Sequence, residues 1–186
     1  GNVGATVAYV MSIQYTCNEL VLIDIDRQRA EGEVMDIKHG LPFLNQMDIY
    51  AGDYSDIKGC DIIVVTAGSG RKPGETRLDL AEKNCRIAKS MTESIMKYYD
   101  GGIILVVSNP VDVLTYHVSK WTGLPRGRIV GSGTVLDGTR LRTLLSDKFN
   151  IDMKNIHAYI FGEHGESQFP AWSFSKIAGF SIDDYC

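Results

Sequence analysis

Short apolar segments rich in β-branched residues alternate with helical patterns along this chain, and that alternation constrains the fold more than any other feature. The stretches 19–24, 61–66 and 102–107 read as strands. None of them alternates strictly between apolar and polar positions, which is the pattern of a parallel strand covered on both faces. Helical periodicity lies between them. It runs over residues 4–14, with Val7, Ala8, Val10 and Met11 on one side, and over 26–38, where Asp26 is a good N-cap. A longer pattern covers 76–99, with Leu80, Ile87, Met91, Ile95 and Tyr98 recurring at helical spacing, and two more helices are predicted over 111–121 and 136–149. Strand–helix alternation of this kind builds a doubly wound α/β fold around a parallel sheet. From Gly123 to Gly133, glycines and Pro125 break the texture. Beyond them come one helix, a predicted strand over 156–161 and a loop holding His164 and Pro170, so a domain boundary is expected near residue 131.

Composition narrows the function classes. The chain has 186 residues, 44% hydrophobic and 23% charged, the balance of a soluble globular protein. Its 19 basic and 23 acidic residues leave a net charge of −4, so no basic field favours nucleic acid or an anionic membrane. Cys17, Cys60, Cys85 and Cys186 form no C-x-x-C pair, and reduced thiols in a cytoplasmic protein are the expectation. No apolar run reaches membrane-spanning length, and no secretory leader pattern opens the chain. His157 and His164 are seven residues apart, which suits no common zinc motif, so no metal is expected. The glycine-rich stretch 68–74 lacks the spacing of a phosphate-binding P-loop.

Gly1-Asn2-Val3-Gly4 opens the first helix and matches the second half of a G-x-G-x-x-G fingerprint. Glycines there let the backbone approach a pyrophosphate, and the helix N-terminus favours the anion. Alone, this spacing is equally an ordinary turn. Asp24 adds weight: it ends the next strand twenty residues after Gly4, where a carboxylate accepts hydrogen bonds from the adenosine ribose of NAD. The same carboxylate would repel the 2′-phosphate of NADP. Asp26 is its rival, but reads better as a helix cap.

Four further stretches carry chemistry: residues 70–77 (Gly-Arg-Lys-Pro-Gly-Glu-Thr-Arg), 108–112 (Ser-Asn-Pro-Val-Asp), 136–142 (Leu-Asp-Gly-Thr-Arg-Leu-Arg) and 162–166 (Gly-Glu-His-Gly-Glu). In this order they resemble the NAD-dependent L-lactate/malate dehydrogenase family, along the whole chain. The resemblance implies a Rossmann-type NAD-binding domain over 1–131, followed by part of an α+β substrate domain over 132–186. It implies NAD as cofactor, held by Gly1, Asn2, Val3, Gly4, Asp24, Ala67, Gly68 and Asn109. His164 would be the acid/base, Asp137 would hold its other ring nitrogen, and Arg77 would stabilise the oxyanion that develops as a carbonyl accepts hydride. Arg140 would grip the substrate carboxylate in a bidentate pair, Asn109 would bind near the carbonyl or the nicotinamide ribose, and residues 68–74 would form a lid. Taken singly, each of these residues has a plain structural alternative: a surface histidine, an i,i+3 surface pair, a solvated helix start. A non-catalytic dinucleotide-binding module would share the glycine loop and Asp24, but would have no use for Arg77, Asp137, Arg140 and His164 together.

The resemblance implies a small 2-oxo or 2-hydroxy acid as substrate. The strings Gly131-Ser132-Gly133-Thr134-Val135-Leu136-Asp137 and Gly162-Glu163-His164-Gly165 are similar to the lactate branch in its bacterial form, whereas Arg71 is similar to the malate branch. An arginine there suits the second carboxylate of oxaloacetate better than the methyl of pyruvate. Lactate is favoured and malate is the alternative. Arg142 and His157 match positions that hold fructose 1,6-bisphosphate in bacterial lactate enzymes, and a homo-oligomer, usually a tetramer, is implied. The resemblance also implies that the chain lacks its first strand, first glycine and much of the substrate domain, and that it is inactive when expressed by itself.

Overall fold

Parallel strands joined by helical crossovers make up the first part of the chain, as its apolar, β-branched segments require. A computed structural model describes residues 1–70 and 73–185. It divides into two units, Gly1–Asn109 with Val113–Val130, and Pro110–Asp112 with Gly131–Cys186.

In the first unit, helix α1 (Asn2–Gln14) leads to strand β1 (Glu19–Leu22), helix α2 (Arg27–Gly40) and strand β2 (Asp48–Ala51). β1 and β2 pair in parallel, Glu19 opposite Asp48. Ile49 is fully buried against Ala8, Val34 and Ile37, so the strand pair and both helices share one core. Of the side expected to face inward, Ala8 is buried and Val7 and Met11 are half-buried, while Val10 is 42% exposed. The start of the helix is packed closely: a Cβ added to Gly4 would stand 2.8 Å from Thr66 Oγ1.

Strand β3 (Ile62–Val65), helix α3 (Arg77–Met96), strand β4 (Ile103–Val106), helix α4 (Val111–Thr122) and strand β5 (Ile129–Gly131) follow. The sheet order is β3-β4-β5, with β3 and β4 parallel and in register. Helix α3 begins behind a reciprocal cap: Asp79 N–H donates to Thr76 Oγ1 at 3.1 Å and Thr76 N–H to Asp79 Oδ2 at 3.0 Å. Ile104, Val106, Leu114 and Val118 are almost wholly buried, which sets α4 against the sheet.

The second unit holds helix α5 (Val135–Phe149), five two-residue strands and a terminal turn of helix. The strands are β6 (Ile156–His157), β7 (Ile160–Phe161), β8 (Phe169–Pro170), β9 (Lys176–Ile177) and β10 (Phe180–Ser181), and the helix is α6 (Ile182–Tyr185). The predicted single strand over 156–161 is two strands in different sheets: β6 pairs antiparallel with β9, and β7 with β8. The chain changes partners at Ala158–Tyr159, where the Tyr159 carbonyl accepts from Ala171 N–H at 2.9 Å. Leu145, Ile156, Ala158 and Ile177 form the core of this unit. Among the described residues no helix is long and apolar enough to cross a membrane, and no cluster of three or more His, Cys, Asp or Glu side chains could hold a metal.

Candidate active site

The glycine loop and Asp24 come together in the first unit. Gly1, at the start of α1, lies beside Asp24, just beyond the end of β1. Asp24 Oδ1 accepts from Asp26 N–H at 3.1 Å. Asp26 itself caps α2, accepting from Arg29 N–H at 3.1 Å. Asn2 is engaged through Oδ1 by the Arg29 guanidinium. Val3 sits exposed in the first turn of α1.

Ala67 and Gly68 follow β3, and Asn109 follows β4, so all three lie beyond the carboxyl ends of parallel strands, where ligands of open α/β sheets bind. Two side chains stitch these loops together. Ser108 Oγ donates to the Ala67 carbonyl at 2.6 Å. Asn84 of α3, only 4% exposed, accepts from Ser69 N–H at 2.8 Å and donates to the Asn109 carbonyl at 2.7 Å. Lys83 Nζ adds a bond to Ser69 Oγ at 2.6 Å. Asn84 is not among the apolar positions that mark residues 76–99 as helical. Its signal is a polar residue four positions after Leu80 and four before Ala88, on the buried side of the helix. Arg77 is the first residue of α3 and is exposed. Arg71 lies outside the described residues.

In the second unit, α5 carries Asp137, Arg140 and Arg142. Asp137 is 6% exposed and receives two cationic or cation-forming partners. His164 Nδ1 stands 2.5 Å from Asp137 Oδ2, and Arg140 Nη1 donates to Oδ1 at 3.1 Å. The i,i+3 spacing of Asp137 and Arg140 on one helix makes that second bond possible. With Nδ1 committed to a carboxylate, Nε2 is the ring nitrogen through which His164 can exchange a proton. Arg142 Nη2 donates to the Met153 carbonyl at 2.9 Å, so part of its guanidinium is already engaged, and His157 is exposed in β6.

Burial of Asp137 would raise its pKa, but the His164 hydrogen bond and charge, with Arg140, outweigh burial and lower it. A carboxyl with a lowered folded-state pKa contributes stability above its unfolded value, and that contribution is lost as pH falls through the folded value. The stability advantage of the parent protein over Asp137→Asn is therefore expected to shrink as pH falls below about 5, where an unfolded aspartate begins to protonate. Urea unfolding of both proteins across this range checks it; an advantage unchanged down to the lowest folded pH would contradict it.

The family model described as the lactate/malate dehydrogenase NAD binding domain matches residues 1–131, and the model for the alpha/beta C-terminal domain matches residues 134–186. The chain belongs to the lactate/malate dehydrogenase family. Within that family, the L-lactate dehydrogenase of Thermoanaerobacter sp. (strain X514) is 54% identical over 186 residues, all of this chain and 60% of that protein. Among solved structures, the minor L-lactate dehydrogenase of Enterococcus mundtii in its ligands-bound form superposes with a TM-score of 0.96 at 41% identity, over 100% of this chain and 59% of that one. The malate dehydrogenase of Picrophilus torridus gives 0.91 at 38%, with the same coverage. The chain thus spans about 60% of the length of the curated relatives it matches. Backbone likeness to both branches means that the choice between lactate and malate rests on side chains.

Proposed function

We propose that this chain belongs to an NAD-dependent enzyme that interconverts L-lactate and pyruvate by hydride transfer, with His164 as the acid/base. The observation that carries this reading is the buried Asp137 carboxylate on His164 Nδ1, which orients the ring and favours a protonated imidazole as negative charge develops on a carbonyl oxygen. Arg140 binds the substrate carboxylate while anchored to the same Asp137, and Arg77 stabilises the oxyanion. Asn109 hydrogen-bonds near the carbonyl or the nicotinamide ribose.

The residues present fit NAD. Gly4 meets Thr66 with no room for a Cβ, keeping the backbone at the start of α1 bare, and Asp24 lies beside that start. When bound, NAD supplies the hydride acceptor or donor. This chain's part is to receive the pyrophosphate at the N-terminus of α1 and the adenosine ribose at Asp24. Passing L-lactate with NAD should raise absorbance at 340 nm in the full-length protein, and NADP should serve far less well; equal use of the two nucleotides would remove the role given to Asp24.

Malate is the second reading, carried by Arg71. If Arg71 reads the distal carboxylate of oxaloacetate, Arg71→Gln is expected to raise the ratio of kcat/KM for pyruvate over oxaloacetate by about 10- to 100-fold, the worth of one buried, paired charge. A ratio within twofold of the parent would show that Arg71 does not select the substrate. The reading extends to a homo-oligomer, with a tetramer as the proposed state, and to fructose 1,6-bisphosphate at Arg142 and His157, whose cation-forming side chains suit phosphate. A cytoplasmic location is proposed from the unpaired thiols of Cys17, Cys60 and Cys85.

A further inference from the structure

His164 is gripped at two places, and only one of them belongs to the acid/base pair. Asp137 holds the ring at Nδ1, which restrains that nitrogen and leaves the rest of the residue free to pivot about it. The residue sits in a loop with glycines on both sides, Gly162 at φ +96° and Gly165, so the local chain supplies little stiffness. The second grip is on the main chain. His164 N–H donates to Asp112 Oδ2 at 2.8 Å, across 52 residues of sequence. Asp112 is the second residue of α4, three positions after Asn109, and Pro110–Asp112 clusters with the second unit although the rest of α4 does not.

We propose that Asp112 is a positioning residue for the reaction: its carboxylate pins the backbone of His164 while Asp137 pins the ring, and the two together fix the direction in which Nε2 presents its proton. This rests on the dehydrogenase reading above. The physical grounds are specific. A side-chain oxygen that accepts the His164 N–H at 2.8 Å restrains a loop whose glycines give it little stiffness of its own. A carboxylate in the first turn of α4 is favoured there by the helix dipole, so Asp112 is itself held by a rigid element. Asp137 without Asp112 would fix one ring atom only. Asp112 without Asp137 would fix the loop but leave the ring to rotate.

The test compares Asp112→Ala with Asp112→Asn in the full-length protein. Asparagine keeps an acceptor oxygen at the same reach; alanine removes it. Asp112→Ala is expected to lower kcat for pyruvate reduction by about 10- to 100-fold, the scale of a misplaced catalytic group, with KM for NADH within about twofold of the parent. Asp112→Asn is expected to restore kcat to within about threefold of the parent. Hydrogen exchange at the His164 amide, read without substrate, should accelerate in the alanine variant and not in the asparagine variant. If Asp112→Ala does not fold, Asp112→Ser takes its place, since a serine hydroxyl can still serve the start of α4 but ends one bond short of His164. A kcat within twofold of the parent in the alanine or serine variant would overturn the proposal, as would an asparagine variant impaired as deeply as alanine. A parent protein that turns over neither pyruvate nor oxaloacetate would overturn the dehydrogenase reading itself. Unchanged His164 exchange in Asp112→Ala beside an active parent would overturn the Asp112 contact alone.

Discussion

Replacing His164 by glutamine is expected to lower kcat for pyruvate reduction by about 10²- to 10⁴-fold, the contribution of a positioned general acid. Glutamine keeps a planar head and an amide N–H that can reach toward Asp137, but it holds no proton that titrates near neutral pH. The structure shows why the loss should fall on kcat. Asp137 is buried and its carboxyl is held below the ordinary value, so it can orient the ring at Nδ1 without taking the proton itself. Removing the imidazole removes the donor and leaves that buried carboxylate with Arg140 as its remaining partner. In the proposed site NADH is held by the glycine loop and Asp24, so KM for NADH should change little. A glutamine variant within threefold of the parent would show that some other group delivers the proton.

Exchanging Arg140 for lysine is expected to raise KM for pyruvate by about 10- to 200-fold, the loss of one charge-assisted hydrogen bond from a bidentate pair. One arm of the guanidinium is spent on Asp137 at 3.1 Å, yet the side chain is 63% exposed, so its other nitrogens face solvent. That arrangement lets a planar fork be braced on one edge and offer the other to a carboxylate. A lysine ammonium keeps the charge but cannot do both in fixed geometry. Because the same exchange weakens the brace on Asp137, the pH dependence of kcat should shift as well as KM. Unchanged KM across Arg140→Lys and Arg140→Ala would place the substrate carboxylate elsewhere.

Much of the fold is legible in the residues because its elements carry strong local signals. β1, β3 and β4 contain runs of three or four apolar residues, Asp26 caps α2 through its own carboxylate, and Thr76 with Asp79 closes the start of α3. β2 and β5 have no such signal. Asp48-Ile49-Tyr50-Ala51 and Ile129-Val130-Gly131 are strands because a neighbouring strand offers a hydrogen-bonding edge. The break between β6 and β7 is likewise tertiary, set by two different partners. In α1 the close approach of Gly4 to Thr66 spans 62 residues of sequence, and no local pattern encodes it.

The candidate site divides along the same line. Spacing places Asp137 and Arg140 on one helix face, but the meeting of Asp137 with His164 spans 27 residues and came from resemblance to a family, not from periodicity. Asn84 and Asp112 were out of reach for that reason. Each acts through a single long-range partner or a pair of loop carbonyls, and no local pattern encodes such a contact.

The most direct measurement is steady-state oxidation of NADH by the purified full-length protein, followed at 340 nm with pyruvate and, separately, with oxaloacetate. Turnover with a higher kcat/KM for pyruvate is the predicted result. A higher kcat/KM for oxaloacetate, or no turnover with either acid, would contradict it.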